Sequence, residues 1–336
     1  MKSVLLITTG GTIASRAGDE GLAPSFTSAD LMRYVGGLRR CYRIDTRELL
    51  NLDSSNIQAD EWIEIARAIH RALPDYDGVV VTHGTDTMAY TASMVSFMLQ
   101  GLKKPVVFTG SQMPIDALLT DARNNLYTAF AAVGSGIPGV SIAFNRKIIA
   151  GCRAVKVRTM GFEAFESVNA GCLGEVFADG LRAYAAAPDN PGAPVSLRDE
   201  ICRDVFLLKL IPGIRPDILP ALRRMNYRGI VIEAFGAGGM QFVRTSMLEQ
   251  LKALTEAGVV VVVCSQCLYE ASDLRIYEVG TKLLACGVIS ALDMTTEAVV
   301  TKLMWALGQT GDPDGVRRIF ATNYCGEITL DRPAAD

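Results

Sequence analysis

Histidine is scarce in this sequence, which contains only His70 and His83 in 336 residues. Because histidine is the usual base beside a serine or cysteine nucleophile, this scarcity leaves few candidates for such a triad. The G-x-S-x-G turn of many serine hydrolases is also absent. Residues 264–267 form one C-x-x-C pattern, but without a second pair or neighbouring histidines it lacks the four ligands of a zinc site. The sequence therefore predicts no metal site.

Long apolar runs and basic clusters are likewise missing. No stretch approaches the roughly 20 apolar residues that a membrane-spanning helix needs, and the run Val4–Ile7 is too short for the core of a signal peptide. Lysine and arginine number 33 against 36 aspartate and glutamate, which gives a net charge of -3. This balance provides no electrostatic footprint for nucleic acid or for an anionic membrane. We expect a cytoplasmic protein whose eight scattered cysteines are free thiols.

The glycine patterns that bind nucleotides are also absent. No G-x-x-x-x-G-K followed by serine or threonine occurs, and residues 236–239 fail the pattern G-x-G-x-x-G because Gln241 occupies its last position. We therefore predict an activity that uses no cofactor.

Apolar residues make up 49% of the chain and charged residues 21%, a balance typical of a folded globular protein. Short apolar runs rich in β-branched residues alternate with segments of helical periodicity, which predicts a largely parallel sheet with helices on both faces. In the first half the predicted strands are Val4–Ile7, Val79–Val81, Val106–Phe108 and Val140–Phe144, and the predicted helices are Ala59–Leu73, Met88–Leu99 and Asp121–Val133.

The pattern breaks at residues 185–194, where three prolines and a glycine occur without apolar periodicity. Such a composition is typical of an interdomain linker. We predict an N-terminal α/β domain over residues 1–187, a linker over 188–204 and a smaller C-terminal α/β domain over 205–336. In the C-terminal domain the predicted strands are Val205–Leu210, Gly229–Phe235 and Val259–Cys264, and the predicted helices are Asp217–Met225, Thr245–Glu256, Tyr277–Cys286 and Thr295–Leu307.

Hydroxyl side chains and glycines follow three of the predicted strands, in residues 8–15, 82–87 and 109–112. Because ligands bind at the carboxyl ends of the strands in open α/β sheets, these loops are the expected site. Glycine lets backbone N–H groups approach an oxyanion, and a threonine hydroxyl becomes a nucleophile when a nearby group takes its proton. A lysine could be that base, whereas His83 beside Gly84 is better suited to orienting its loop.

Two of these loops carry sequence signatures, since Thr9–Ala14 reads TGGTIA and His83–Met88 reads HGTDTM. The pair, each member following a strand, resembles the bacterial-type L-asparaginase family and within it the cytoplasmic type I branch. The resemblance covers essentially the whole chain. It implies a larger N-terminal flavodoxin-like domain with a mostly parallel sheet, a smaller C-terminal α/β domain, and a homodimer or homotetramer with active sites at interdomain and intersubunit clefts.

By this resemblance the chain is a hydrolase that converts L-asparagine to L-aspartate and ammonia. Thr12 is then the nucleophile that forms an acyl-enzyme. Lys156 is the base that lets Thr85 activate a proton donor or water, with Asp86 in the same catalytic group. Backbone N–H groups near Gly11 and Thr85 would hold the oxyanion. The residues implied in substrate binding, most of them through the α-carboxylate and α-ammonium groups, are Asp53, Ser54, Ser55, Thr85, Asp86 and Gly11.

Each implied residue also has a simpler explanation in the sequence alone. Thr12 and Asp86 could cap the helices that follow them, as short hydroxyl and carboxylate side chains often do. Ser54 and Ser55 could be turn formers, and Lys156 could be an ordinary solvated lysine.

The sequence departs from the family pattern at three positions. Leu22 stands where many members carry a lid tyrosine that assists the nucleophile, and Tyr34 or Tyr42 could take its place. Gly239 stands where members often have an asparagine that reaches the adjacent subunit. The arginine of an asparagine-binding regulatory site in some type I members aligns with Glu233, which would repel a carboxylate.

Three other functions remain on the same fold. A glutaminase-asparaginase of broader specificity would also accept glutamine. Glutamine has one methylene more than asparagine, and one methylene changes the binding free energy in a pocket by only about 1–3 kcal/mol. A non-catalytic amino-acid sensor would bind asparagine without turnover. The amidase component of archaeal-type tRNA amidotransferases carries an extra N-terminal domain, and because Thr12 closely follows Met1 we expect that component less.

Overall fold

The computed structural model describes residues 1–18, 21–24, 26–184 and 195–329. The chain divides into two units, Met1–Asp199 and Glu200–Asp336. Residues 185–194, whose composition predicts a linker, lie outside the described residues. Ser196–Leu197, inside the predicted linker 188–204, forms a strand of the first unit with Leu99–Gln100. Among the described helices, none is long and apolar enough to cross a membrane.

The first unit contains four of the described helices and fourteen of the described strands. The helices are α1 (Ser28–Tyr34), α2 (Ala59–Ala72), α3 (Met88–Met98) and α4 (Ala122–Ser135). The strands are β1 (Lys2–Gly10), β2 (Ser15–Gly18), β3 (Gly21–Pro24), β4 (Tyr42–Leu52), β5 (Gly78–Thr82), β6 (Leu99–Gln100), β7 (Pro105–Thr109), β8 (Gly139–Phe144), β9 (Lys147–Ala150), β10 (Ala154–Lys156), β11 (Phe165–Ser167), β12 (Gly174–Phe177), β13 (Gly180–Ala183) and β14 (Ser196–Leu197).

Eight strands form the main sheet, in the order β13-β12-β9-β8-β7-β5-β1-β4. The five strands from β8 to β4 pair in parallel, whereas β9, β12 and β13 continue the sheet antiparallel. Because β4, β1, β5 and β7 are parallel neighbours, their carboxyl ends lie side by side at one edge of the sheet.

Both faces of this sheet are covered by helices. Val4, Leu6 and Val80 pack on one face with Leu126 and Phe130 of α4 in a cluster of buried apolar side chains. Successive strand residues point to opposite faces, so Leu5 and Ile7, also buried, lie on the other. Helices α2 and α3 contribute nothing to the first cluster and cover that second face. The near-continuous apolar strands are typical of such a doubly covered sheet.

The second unit has a smaller sheet in which β15 (Val205–Lys209), β16 (Gly229–Ala234), β17 (Val260–Ser265) and β18 (Ile289–Ser290) are parallel in that order. Its described helices are α5 (Ile218–Arg224), α6 (Leu248–Glu256), α7 (Glu278–Ala285), α8 (Thr296–Gln309) and α9 (Pro313–Phe320). The predicted fold class, an α/β chain with a larger, mostly parallel N-terminal sheet and a smaller C-terminal one, is confirmed.

Candidate active site

The loops that follow β1 and β4 touch through Gly10 and Gly11. Gly10 has φ of 103°, and a side-chain carbon there would lie 2.4 Å from the carbonyl oxygen of Leu52. The Gly11 N–H donates to the same oxygen over 2.9 Å. Only glycine combines this backbone conformation with so close an approach, so the sequence GG is required where the two strands end.

Gly11 and Gly84 bring the loop after β5 into the same cluster. A side-chain carbon on Gly11, whose φ is 80°, would lie 2.4 Å from the Gly84 nitrogen. A side-chain carbon on Gly84 would lie 2.6 Å from the hydroxyl oxygen of Ser54. Thr87 donates to the Ser54 carbonyl over 2.7 Å. Three loops that are distant in sequence therefore meet at their glycines and Ser54.

We expect Gly11→Ala to destabilise the chain by about 2 kcal/mol or more, because it combines an unfavourable positive φ with a collision against backbone. Urea unfolding measures this change. Gly36→Ala is the matched control, since a side-chain carbon at Gly36 meets nothing within 4 Å and its φ is not positive. Equal stability of the two variants would contradict the described packing.

Thr12 is the first residue of the short 3-10 helix Thr12–Ala14. The N-cap of that helix is Gly11, and no side-chain cap hydrogen bond is present there. The alternative that Thr12 caps the helix is therefore wrong. Within the described part of the chain its hydroxyl makes no hydrogen bond, and the residue is only half-buried.

Lys156, the last residue of β10, joins Thr85 to Asp86. Its Nζ donates to the Thr85 hydroxyl oxygen over 2.8 Å and to an Asp86 carboxylate oxygen over 2.5 Å. The Lys156 side chain is 15% exposed and that of Asp86 is 63% exposed. Lys156 is thus not an ordinary solvated lysine, and Asp86 is not the cap of α3, since Thr87 occupies that position. A threonine hydroxyl within hydrogen-bonding reach of a lysine is an arrangement that can move a proton.

Asp53 organises the loop after β4. Its carboxylate accepts hydrogen bonds from the Ser55 N–H over 2.8 Å and from the Ser55 hydroxyl over 2.5 Å. These two bonds lower the pKa of Asp53 below its ordinary value, against the opposing effect of burial, and the positive charge of Lys156 lowers it further. The Lys156 charge is therefore near enough to act on Asp53. Ser54, by contrast, is buried beside Gly84.

Gln112, which lies in the loop 109–112 after β7, also contacts Thr85, although no site role is predicted for it from the sequence. The Thr85 hydroxyl donates to Gln112 Oε1 over 3.2 Å, while Gln112 Nε2 donates to the carbonyls of Thr159 and Gly161, both over 3.1 Å. Two carbonyl acceptors fix the orientation of the amide, so its oxygen must face Thr85. The backbone N–H of Gln112 is held in turn by the Asp121 carboxylate. Position after β7 is the only sequence signal for this residue.

His83 is completely buried, and its side chain does not touch those of Lys156, Thr85 and Asp86. Its Nδ1 lies 2.7 Å from the Gly84 carbonyl and its Nε2 lies 3.0 Å from the Thr91 hydroxyl. Burial lowers the pKa of His83 to about 4, because the cation loses its solvation there, and the bond to Gly84 only partly opposes this. A neutral imidazole with both nitrogens bonded fits the predicted role of orienting the loop.

The buried His83 should make the folded chain less stable in acid. The unfolded chain takes up this proton near pH 6.5 and the folded chain only near 4, so stability is complete above 6.5 and falls as the pH drops through this window. The difference corresponds to about 3 kcal/mol. Urea unfolding between pH 7 and 4 should show this loss in wild type and in His70→Gln, but not in His83→Gln. The same acid dependence in all three proteins would exclude His83 as its source.

The missing lid tyrosine is not replaced by Tyr42. Tyr42 pairs with Lys2 at the amino end of β1, whereas Thr12 follows the carboxyl end of that strand. The length of β1, roughly 26 Å, therefore separates Tyr42 from Thr12. Its ring packs on Phe130 instead. Leu22 pairs with Ala17 in the β2–β3 hairpin, and its side chain lies outside the described residues. Tyr34, whose ring packs on Phe26, stays a prediction.

None of the eight cysteines forms a disulfide bond, and no group of three histidine, cysteine, aspartate or glutamate side chains in the described ranges could hold a metal ion. Glu233 pairs with Lys209 over 3.2 Å and accepts a hydrogen bond from Thr296 over 2.7 Å. That Glu233 would repel a second carboxylate stays a prediction.

Comparison with known proteins bears on the whole chain. Residues 3–189 match the family model described as "Asparaginase, N-terminal", and residues 204–320 match "Glutaminase/Asparaginase C-terminal domain". The chain is 42% identical to an L-asparaginase of Thermococcus kodakarensis over 97% of its own length and 99% of that protein. The solved structure of a thermostable L-asparaginase from the same organism superposes with a TM-score of 0.92, covering 98% of this chain and 100% of that one at 41% identity.

Two further relatives are similar over nearly the whole chain. L-asparaginase I from Vibrio cholerae has a TM-score of 0.87 and 30% identity, with 98% of this chain and 99% of that chain covered. One component of the glutamyl-tRNA(Gln) amidotransferase of Pyrococcus abyssi is 35% identical over 98% of this chain but only 77% of that protein. Two matching family models and relatives above 30% identity over nearly full length agree with the glycine-centred loops: the chain belongs to the asparaginase family.

Proposed function

We propose that this chain is an L-asparaginase that uses Thr12 as its nucleophile. The observation that carries the proposal is the meeting of the Gly11, Ser54 and Gly84 loops, with Lys156 bonded to Thr85 at the same edge of the sheet. Two threonines and one lysine near a cluster of backbone N–H groups supply a nucleophile, a proton carrier and oxyanion donors without any cofactor.

The substrate's amino-acid end is the part that charged side chains can recognise. Asp53 and Asp86 are both close to Lys156 and both carry carboxylates, which suit an α-ammonium group. Ser54 and Ser55 lie on the loop held by Asp53 and suit the α-carboxylate through their N–H and hydroxyl donors. This assignment leaves the side-chain amide of asparagine to the loops of Gly11 and Thr85.

The reaction then proceeds in two steps. In the first, the Thr12 oxygen attacks the amide carbon, its proton leaves with the nitrogen as ammonia, and a β-aspartyl ester on Thr12 remains. In the second, water attacks that ester and regenerates the Thr12 hydroxyl with free aspartate. Lys156 exchanges a proton with Thr85 over 2.8 Å, and Thr85 passes it to or from the leaving nitrogen or the attacking water. Backbone N–H groups of the Gly11 and Thr85 loops hold the oxyanion in both steps.

Coupled detection of ammonia from L-asparagine and from L-glutamine tests this function against its rivals. We expect rapid release from asparagine and slower release from glutamine. Comparable rates would favour the glutaminase-asparaginase, and saturable asparagine binding without ammonia would favour the sensor. Because the chain is similar to an amidotransferase component, ammonia release from glutamine alone is a third possible outcome. That outcome would contradict the proposal.

We also propose a homodimer or homotetramer in the cytoplasm. Support for association comes from the second unit, where Phe235, Tyr269 and Tyr277 are exposed by 36%, 50% and 62% around one cavity of about 670 Å³. Exposed apolar side chains grouped in this way are typical of a protein interface. Cysteines without disulfide bonds fit a reducing compartment. Light scattering coupled to size exclusion measures the assembly, and a monomer at working concentrations would contradict it.

A further inference from the structure

A chain of three buried hydrogen bonds ends at the peptide bond between Gly84 and Thr85. Trp62 of α2 donates its indole N–H to the hydroxyl oxygen of Thr91 on α3 over 3.0 Å. That hydroxyl lies 3.0 Å from His83 Nε2, and His83 Nδ1 lies 2.7 Å from the Gly84 carbonyl. Thr91 and His83 are 0% exposed and Trp62 is 8% exposed. None of these three side chains is bonded to the side chains of Lys156, Thr85 or Asp86.

For a neutral imidazole, only one arrangement of protons satisfies this chain. The indole N–H of Trp62 can only donate, so the Thr91 oxygen accepts, and the single Thr91 proton is free for His83 Nε2. At the other end the Gly84 carbonyl can only accept, so His83 Nδ1 must carry a proton. His83 is therefore the neutral Nδ1–H tautomer, fixed by its two partners.

This tautomer fixes the direction of the Gly84–Thr85 peptide. No described peptide bond is cis, and in a planar trans peptide the carbonyl and the following N–H point in opposite directions. Because the Gly84 carbonyl is drawn toward His83, the Thr85 N–H points away from the imidazole. Within the described ranges that N–H donates to no acceptor, so it is available to a ligand.

We infer that His83, Thr91 and Trp62 are positioning residues that aim the Thr85 N–H at the oxyanion of the reaction. The inference rests on the proposed function, since the oxyanion forms only if an amide is attacked at this site. His83 then acts through the peptide it holds and exchanges no proton with the substrate. An oxyanion donor must be aimed before the reaction begins, because reorientation during the step would cost part of the stabilisation.

Thr91→Val tests this role with almost no change in shape. It removes the proton donor to His83 Nε2 and leaves the imidazole free to change tautomer or turn. We expect kcat for asparagine to fall about tenfold to a hundredfold with KM nearly unchanged, because the α-groups of the substrate bind elsewhere. Thr301→Val is the matched control: Thr301 is also a fully buried helical threonine, bonded only to backbone carbonyls of its own helix. It should leave kcat unchanged.

Rescue and spectroscopy separate positioning from simple packing. His83→Asn keeps an N–H donor near the position of Nδ1 and should retain more kcat than His83→Leu. With imidazole ¹⁵N labelling, the two histidines are assigned by His70→Gln, and His83 should show the Nδ1–H tautomer at neutral pH in wild type. If His83 shows the Nε2–H tautomer, or if the wild type is active and the kcat of Thr91→Val lies within twofold of it, the positioning role is overturned but the proposed function is not. Wild-type protein that releases no ammonia would instead overturn the proposed function, and this role with it.

Discussion

Thr12→Ala should abolish asparagine hydrolysis while leaving the fold intact. If Thr12 is the nucleophile, its removal takes away the covalent route, and losses of at least about a thousandfold in kcat are usual for such a change. The Thr12 hydroxyl makes no hydrogen bond within the described residues, so the free energy of unfolding should change by no more than about 0.5 kcal/mol. Ammonia release and urea unfolding, measured on the same preparation, give both quantities.

Thr12→Ser is the control for this variant because it keeps a hydroxyl at the same place. It should retain a measurable fraction of wild-type kcat. An alanine variant whose kcat stays within tenfold of wild type would remove Thr12 from the mechanism, whatever the serine variant does.

Thr85→Val should lower kcat by about a hundred- to ten-thousandfold, the range expected when a positioned proton carrier is lost. Valine has nearly the shape of threonine, so the packing around residue 85 should persist while the bonds to Lys156 and Gln112 disappear. Lys156→Met should cause a similar loss, since it removes the other half of the same proton transfer. Asparagine turnover and thermal unfolding of both variants measure these effects.

The double variant decides whether Thr85 and Lys156 act together. If the two groups carry out the same proton transfer, removing either one already abolishes it, and removing the second has little further effect. The kcat of the double variant should therefore be barely lower than that of the slower single variant. Losses that multiply would mean that the 2.8 Å contact between Lys156 and Thr85 has no part in proton transfer. Arg158→Met is a suitable charge control, because Arg158 pairs with Glu166 rather than with Thr85.

The main strands could be predicted from the sequence because they are buried on both faces. Runs such as Val79–Val81 have no polar residue, and the strand β5 extends this run by one residue at each end. Strand β4 gives no such signal: it lies at the sheet edge, and Arg43, Asp45 and Arg47 face solvent. The antiparallel strands β9, β12 and β13 have only four residues each, and each is partly exposed. Edge position makes β4 and β13 hard to predict, whereas β9 and β12 lie between other strands and are hard to predict because they are short.

The sequence predicts where the candidate site lies, but its internal geometry could not be predicted. Parallel strands bring the glycine loops to one edge, and that rule needs only the strand assignments. The contact of Gly84 with Ser54 and the amide of Gln112 facing Thr85 depend on side-chain packing between segments distant in sequence. The same is true of the buried chain from Trp62 to Gly84. Such contacts leave no periodicity for a sequence pattern to reveal.

The central claim is that the acyl group forms on Thr12, and mass spectrometry of acid-quenched wild-type enzyme during asparagine turnover tests it most directly. Trypsin releases Thr12 in the peptide Ser3–Arg16 and Thr85 in the peptide Ala72–Lys103. We expect an added aspartyl group on the first peptide, assigned to Thr12 by fragmentation and absent from Thr12→Ala. An aspartyl group on the second peptide, or on another hydroxyl of the first, would contradict the account.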